Sequence, residues 1–203
     1  ESIGSVIDNQ VVGSQAAMHC FSLHRAKVVS CGEGGMVTTN SDELYELAKS
    51  LLNHGYSKNK HSHEYIHDNY GVNFRMSDVS AAIARVQLRK LSKFVSHRNK
   101  IANIYKQELR GLADFQVYDS DRLKSNYFFF GIRVEDRPRV INSMYRNGIQ
   151  VKTWTAVHKQ PIWNDVELPN ASAISDSVVL LPIHNLIEEE EVEYTIKKLK
   201  EIL

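Results

Sequence analysis

The sequence predicts an α/β fold from the pattern of its apolar residues, and its length and composition are those of a globular protein of one or two domains. Short apolar runs rich in β-branched and aromatic residues alternate with segments whose apolar residues recur every three or four positions. The chain has 203 residues, which is enough for one large domain or two small ones. Its composition, with 42% hydrophobic and 24% charged residues, is that of an ordinary globular protein.

The net charge and the cysteine content limit which binding partners and which cellular compartment we expect. The formal net charge is +1, so bulk electrostatics gives no argument for binding nucleic acid or an anionic membrane. No apolar run approaches the roughly 20 residues needed to span a bilayer. The two cysteines, Cys20 and Cys31, do not have CxxC spacing and argue against a disulfide scaffold. We therefore expect a cytoplasmic protein without nucleic-acid or membrane partners.

The first part of the chain is predicted to contain two extended segments and a helix. Residues 20–22 and 35–39 are extended, and a loop with Lys27 and a glycine cluster at 32–35 joins them. Ser41 then caps a helix. The apolar positions of this helix are Leu44, Leu47, Ala48, Leu51 and Leu52. Residues 53–72 are polar, hold four histidines and lack periodicity, so we predict a long loop there.

The strongest helical pattern of the sequence begins at Ser77-Asp78. Its apolar positions are Val79, Ala82, Ile83, Val86, Leu88 and Leu91. The same pattern continues through Ile101, Ile104 and Tyr105 to Leu109, and Gly111 follows where a helix would end. The pattern therefore predicts one long helix up to Gly111.

After this helix the sequence predicts alternating strands and helices. Strands are predicted at 127–134, 149–151 and 178–182, and helices at 137–146 and 188–203. The apolar positions of the last helix are Val192, Tyr194, Ile196, Leu199 and Ile202. This β-α-β order predicts a small α/β domain from about residue 113.

Lys27 has an unusual setting for a lysine. Val28 and Val29 follow it and glycines lie close beyond, which is a poor environment for a solvated charge. Such a lysine suggests either a phosphate cradle or a desolvated, nucleophilic amine. The glycine cluster itself lacks the lysine-serine/threonine end of a P-loop and is not a GxGxxG motif. A tight turn accounts for the cluster equally well.

The histidines of the 53–72 segment include a possible metal-binding pair. His61 and His63, with His67 as a third ligand, could chelate zinc. However, no carboxylate or cysteine has a suitable spacing, and Lys58 and Lys60 would repel a cation. We therefore prefer a solvated loop and predict no metal site.

Two further groups of polar residues have an open interpretation. Asn73 and Arg75 precede the long helix and could either satisfy local backbone or reach an anionic ligand, and spacing alone does not choose. His158 and Gln160 lie near Trp154 and Trp163. A cluster at the edge of the core is the preferred interpretation of this second group, with a ligand-binding loop as the alternative.

Four passages, taken in order, resemble one family. They are Phe21-Ser22 with Lys27 and Gly32 to Val37; Asn53-His54-Gly55 with Gly71 to Ser77 and Ala81-Ala82-Ile83; Gly148-Ile149 with His158 to Pro161; and Leu181-Pro182 with Glu188 to Glu191. This series is similar to the DegT-type nucleotide-sugar aminotransferases, which are pyridoxal-phosphate enzymes of the aspartate-aminotransferase fold (type I). The resemblance spans essentially all of the chain.

The resemblance implies roles for individual residues. Lys27 would hold pyridoxal 5'-phosphate as a Schiff base and then act as the acid/base of proton transfer, which requires an amine that can be neutral near pH 7. Ser22 would bind the cofactor phosphate, and Asn73 would reach the phosphate in the partner's site of a homodimer. Glu1 would occupy the position that bonds the cofactor's phenolic oxygen.

The resemblance also implies the architecture and the substrate. Residues 1–90 would be the later part of a type I large domain, 91–112 a linking helix and 113–203 the small α/β domain. The enzyme would move an amino group, from glutamate, onto a nucleotide-linked keto-deoxysugar for polysaccharide or secondary-metabolite synthesis. Arg75, His158 and Gln160 would contact this substrate.

The resemblance leaves two alternatives. In the family, an aspartate that pairs with the pyridinium nitrogen would fall just before Glu1, so we expect the chain to be the C-terminal portion of a longer enzyme. It could then be a catalytically incompetent fragment or subunit. The other alternative is a sugar dehydratase that uses the same cofactor, but the related 3-dehydratases carry a histidine where this sequence has Lys27.

Overall fold

A computed structural model of the protein describes residues 1–57, 65–115, 120–163 and 166–203. The chain divides into two compact units. Unit 1 comprises Glu1–Ser92 with Ser120–Lys124, and unit 2 comprises Lys93–Asp119 with Ser125–Leu203. Both units contain helices and strands, so the predicted α/β class is confirmed.

The elements follow one another in a mixed order. The strands are β1 (Val6–Ile7), β2 (Gln10–Val11), β3 (His19–Ser22), β4 (Gly35–Thr38), β5 (Tyr56–Ser57), β6 (Ile66–His67), β7 (Asp114–Phe115), β8 (Leu123–Lys124), β9 (Phe130–Arg133) and β10 (Val178–Leu181). The helices are α1 (Asp42–Leu51), α2 (Asp78–Arg89), α3 (Leu91–Glu108), α4 (Arg137–Arg146), α5 (Pro169–Ser177) and α6 (Glu189–Ile202). Two short 3₁₀ turns, Val157–Lys159 and Pro161–Trp163, precede α5.

The β3–β4 hairpin and the α1 cap agree with the sequence analysis. β3 and β4 are antiparallel and pair Ser22 with Gly35 at the open end of the connecting loop. The Ser41 side chain accepts a hydrogen bond from the N–H of Leu44 at the start of α1 (3.2 Å). Both features are specified locally: a capping side chain specifies the start of α1, and alternating apolar residues specify the strands.

The predicted single helix up to Gly111 is wrong, because the structure divides it into α2 and α3. Ser77 caps α2 as expected and accepts a hydrogen bond from the N–H of Ser80 (3.2 Å). The helix ends at Lys90, whose N–H bonds to the carbonyl of Gln87 (3.0 Å). This hydrogen bond spans three residues instead of the four of an α-helix, so the helix is interrupted here. The apolar residues nevertheless keep the same spacing across the break.

Part of the predicted 53–72 loop is ordered as a short antiparallel hairpin of β5 and β6. Gly55 lies against the chain that returns after β6: its φ is +73°, and a Cβ there would lie 1.6 Å from the carbonyl oxygen of Asn69. Only glycine permits this approach. His61 and His63, with Lys58 and Lys60, lie outside the described residues.

Unit 2 has a three-stranded antiparallel sheet in the order β10-β9-β7. Its core contains side chains from α3, β9, α4, β10 and α6. α4 has the predicted bounds and is capped by Asp136, which accepts a hydrogen bond from the N–H of Arg139 (3.0 Å).

Three predictions for unit 2 are wrong. The 149–151 segment is not a strand, because only Lys152 pairs with β10, through one isolated bridge to Leu180. Tyr194 is exposed, and Thr195 is buried in its place, with its hydroxyl donating to the carbonyl of Glu191 (2.8 Å). Finally, α5 lies between residues 151 and 178, where neither a helix nor a strand was predicted. Among the described residues, the helices are all too short or too polar to cross a membrane.

Candidate active site

Lys27 lies in the loop between β3 and β4, and backbone hydrogen bonds fold this loop back on itself. The N–H of Lys27 donates to the carbonyl of His24 (2.9 Å). Leu23 donates to the carbonyl of Gly34 and accepts from the N–H of Cys31, both at 2.9 Å. The loop is therefore closed at its base and has a defined backbone path.

The residues after Lys27 anchor the loop in unit 1. Val28 and Val29 are fully buried, and Val29 belongs to a small apolar cluster with Leu23 and Ala84. The side chain of Lys27 itself is 20% exposed. The valines hold the backbone, and four-fifths of the Lys27 side chain is shielded from water.

The structure brings Lys27 together with a second predicted site residue, Glu1. The Nζ atom of Lys27 donates to Oε1 of Glu1 at 2.6 Å, and the two side chains form an ion pair. The Glu1 side chain is about half exposed, at 52%. Sequence analysis placed both residues at the cofactor, but spacing alone did not reveal this contact.

Ser22 places a hydroxyl at the beginning of the same loop. It is exposed at the end of β3, and its Oγ atom accepts a hydrogen bond from the N–H of His24 (3.3 Å). Its exposure and its position make the hydroxyl available to a ligand. Its predicted role at a phosphate stays a prediction.

The glycine cluster provides a close turn. Gly34 has φ +156°, and a Cβ at this position would lie 2.7 Å from the Cε atom of Met76 and 3.0 Å from Sγ of Cys31. A larger residue would displace the methionine or the loop. The turn interpretation of the cluster is thus sufficient to explain Gly34.

Asn73 and Arg75 lie together before α2, where both are exposed. Oδ1 of Asn73 accepts a hydrogen bond from the N–H of Arg75 (3.3 Å), and the backbone of Asn73 bridges to Asn53. The Arg75 guanidinium donates to Oδ1 of Asn53. These contacts preorganise the segment, and the predicted ligand contacts of Asn73 and Arg75 stay predictions.

His158 and Gln160 belong to unit 2 and differ in exposure. His158 is only 8% exposed, and its Nε2 atom pairs with Oγ of Ser172 on α5 at 2.7 Å. Gln160 is exposed beyond the first 3₁₀ turn. Burial and the Ser172 partner favour a structural role for His158, so Gln160 is the more accessible of the two predicted substrate contacts.

Other ionisable side chains also belong to the Lys27 loop. His24 lies 3.6 Å from the carboxylate of Glu33, and Arg25 is exposed. Across residues 1–57, 65–115, 120–163 and 166–203, no cluster of three histidine, cysteine or acidic side chains could hold a metal ion. The amine of Lys27, paired with the carboxylate of Glu1, is the candidate reactive group of this loop.

Comparison with known proteins assigns this arrangement to a family. Residues 1–200 match the DegT/DnrJ/EryC1/StrS aminotransferase family. The chain belongs to this family. The predicted resemblance is therefore confirmed, and several relatives are named as aminotransferases of nucleotide-linked sugars.

Individual relatives agree with this assignment. The chain is 28% identical to the GDP-perosamine synthase of Escherichia coli O157:H7, and the match covers 99% of this chain and 56% of the relative. It is 29% identical to the UDP-N-acetyl-3-dehydro-alpha-D-glucosamine 3-aminotransferase of Acidithiobacillus ferrooxidans, over 95% of this chain and 52% of that protein. The chain thus spans about half the length of these curated relatives. The dehydratase alternative finds no support among them.

One solved structure has the same fold, and its name states that it is the form with the cofactor PLP. Spr1654 from Streptococcus pneumoniae, in its PLP form, has a TM-score of 0.90 and 24% identity, with 98% of this chain and 55% of that chain covered. The family uses pyridoxal phosphate. The residues of the present chain fit this group, because Lys27 offers an amine with limited access to water and Ser22 an exposed hydroxyl on the same loop.

Proposed function

We propose that this chain carries the cofactor-bonding lysine of an aminotransferase that acts on nucleotide-linked keto-deoxysugars. One observation carries the proposal: the Lys27 amine lies at the edge of a closed loop, anchored by buried valines, in a chain of the DegT/DnrJ/EryC1/StrS family. When bound, pyridoxal phosphate supplies the electron sink for charge that develops at the substrate carbon. The amine of Lys27 would hold the cofactor covalently.

The other residues of the site bind and orient. The Ser22 hydroxyl would bind the cofactor phosphate, and Asn73 would bind the phosphate in the site of a second subunit of a homodimer. The amine of Lys27 would also hold and move the proton at the reacting carbon. Glu1 would bond the phenolic oxygen of the cofactor.

The substrate is inferred from the compounds that the names of the relatives state. The relative from Acidithiobacillus ferrooxidans is named for amination of a 3-dehydro sugar carried by UDP. We propose a keto sugar linked to a nucleotide as the acceptor and glutamate as the amino donor, in the cytoplasm. Gln160, His158 and Arg75 would contact the substrate. Residues 1–90, 91–112 and 113–203 would serve as the cofactor domain, the linking helix and the small domain.

Labelling of the lysine tests the proposal directly. Borohydride reduction of the cofactor-loaded native protein, followed by peptide mapping, should leave the pyridoxyl group on Lys27. We expect Lys27→Arg to abolish the label and to lower amino transfer at least about 100-fold, because arginine cannot replace the nucleophile or the acid/base. Lys49→Arg is the matched control, since Lys49 is an exposed lysine paired with Glu46 (3.3 Å). A pyridoxyl group on Lys49, or on any lysine except Lys27, would contradict the assignment.

A catalytically incompetent fragment or subunit is the alternative proposal. The observation that favours it is the coverage of about half of each curated relative. The same experiment separates the two proposals. A pyridoxyl group on Lys27 with transfer of nitrogen to a keto-sugar nucleotide supports the enzyme, whereas a label without transfer supports the incompetent subunit.

A further inference from the structure

The ion pair between Glu1 and Lys27 places a carboxylate on the atom that must react. Oε1 of Glu1 lies 2.6 Å from Nζ, so the hydrogen bond uses one of the ammonium protons. Four-fifths of the Lys27 side chain is removed from water, and attraction between charges is stronger there than in bulk solvent. The pair is therefore positioned to stabilise the charged form of Lys27.

Only the neutral form of an amine attacks a carbonyl carbon, because the ammonium ion has no lone pair. Before Lys27 can react, Nζ must leave Oε1 and release a proton to water. A carboxylate that binds the ammonium opposes both events. Of the other ionisable groups of the loop, Glu33 faces the ring of His24 at 3.6 Å and Arg25 is exposed.

We propose that Glu1 is a positioning residue that holds Lys27 as an ammonium ion in the cofactor-free protein and so slows its reaction with carbonyl compounds. The proposal rests on the proposed function of Lys27 as the cofactor-bonding amine. It adds a control step before that bond forms: the ion pair opens, the proton passes to solvent, and the lone pair of Nζ becomes available. A neutral glutamine at position 1 would keep the shape of the side chain and remove the charge that favours the ammonium.

Competitive acetylation of the cofactor-free native protein measures this effect without the cofactor. In the reaction, neutral Nζ attacks acetic anhydride, an amide bond forms, acetate leaves and the proton goes to water. Peptide mass spectrometry gives the rate at Lys27 relative to Lys49, which is an internal standard in the same protein. We expect Glu1→Gln to raise this relative rate about fivefold at pH 7.5, the size of a partly screened ion pair. Above about pH 11 the difference should vanish, because lysine amines are then largely neutral in both proteins.

Glu1→Asp, which keeps the charge on a shorter side chain, should give an intermediate rate. Equal pH profiles of Lys27 in the parent and Glu1→Gln proteins would overturn the proposal.

The outcome is separable from that of the proposed function. Acetylation reports the Lys27 amine in the absence of pyridoxal phosphate, whereas the borohydride experiment reports which lysine bonds the cofactor. A pyridoxyl group on another lysine with a fivefold acetylation effect would refute the proposed function and leave the ion-pair control intact. The reverse result would retain Lys27 as the cofactor lysine and remove the role of Glu1.

Discussion

Arg98 is a buried cation whose replacement tests how unit 2 is held together. It lies on α3, is 4% exposed, and its Nε atom donates to Oδ1 of Asn185 at 2.8 Å. Its Nη1 atom lies within hydrogen-bonding distance of the carbonyls of Tyr127, Phe128 and Ile183 at 3.0, 3.2 and 3.3 Å. Burial lowers the pKa of Arg98 to about 10, so the guanidinium still carries its charge at neutral pH.

The expected loss of stability is the balance of two opposing effects. Arg98→Met leaves up to three carbonyls and one amide without this donor, and a buried polar group that loses its partner costs about 1–3 kcal/mol. Removal of a dehydrated charge offsets part of this cost. We therefore expect the free energy of unfolding of unit 2 to fall by about 3 kcal/mol. Arg98→Lys should lose nearly as much, because one ammonium cannot reproduce the planar fork that reaches both Asn185 and the carbonyls.

Urea unfolding followed by tryptophan fluorescence is a suitable assay. Both tryptophans, Trp154 and Trp163, belong to unit 2, so the signal reports the unit that contains Arg98. Arg139→Met is the matched control, since Arg139 is an exposed arginine 3.8 Å from Asp136 and should change stability by less than about 0.5 kcal/mol. If Arg98→Met unfolds at the same urea concentration as Arg139→Met, the reasoning about the buried donors is refuted.

Two further predictions concern the same unit. The hydroxyl of Tyr105 donates to the carbonyl of Pro182 (2.8 Å), so Tyr105→Phe should lower the free energy of unfolding by about 1 kcal/mol in the same assay, and no change would contradict it. His184 is exposed overall, and partial removal of its ring from water lowers its pKa from the usual 6.5, with smaller influences from Glu191, which raises it, and from Arg98 and His97, which lower it. The unfolded chain therefore binds this proton more readily, and the stability contributed by neutral His184 is present above pH 6.5 and is lost as the pH falls through the lowered pKa. His184→Gln should flatten the pH dependence of the urea midpoint below pH 6.5, and parallel curves for the two proteins would refute the role of His184.

Features specified by nearby residues could be predicted from the sequence. Ser41 and Ser77 accept hydrogen bonds from backbone N–H groups three residues ahead, so the signal for each helix start lies within one turn. The break at Lys90 could not be predicted in this way, because α2 and α3 continue one apolar pattern across it. The missed strand β8 pairs with β1 through contacts more than 100 residues apart in sequence, and no local pattern encodes that partner.

In the candidate site, too, features formed by neighbouring residues could be predicted, whereas a contact between distant residues could not. The loop of Lys27 was recognisable from its own residues, because the buried valines and the glycine turn that shape it are adjacent in sequence. The ion pair of Lys27 with Glu1 joins residues 26 positions apart and depends on how the chain before β1 returns to the loop. Sequence could thus single out the lysine of this loop, but the carboxylate that contacts it required the structure.

Helix α2 shows why periodicity identifies the face of a helix without identifying what covers it. Val79, Ile83 and Val86 belong to the predicted apolar stripe, yet they are 45–71% exposed in unit 1. Ala84, outside the predicted stripe, is the buried residue of α2 and packs in the cluster that includes Val29 of the Lys27 loop. Leu88 and Leu91, at the end of the stripe, pack against the same cluster. Since hydrophobic stabilisation scales with the apolar area removed from water, only this end of the stripe supports the loop of Lys27.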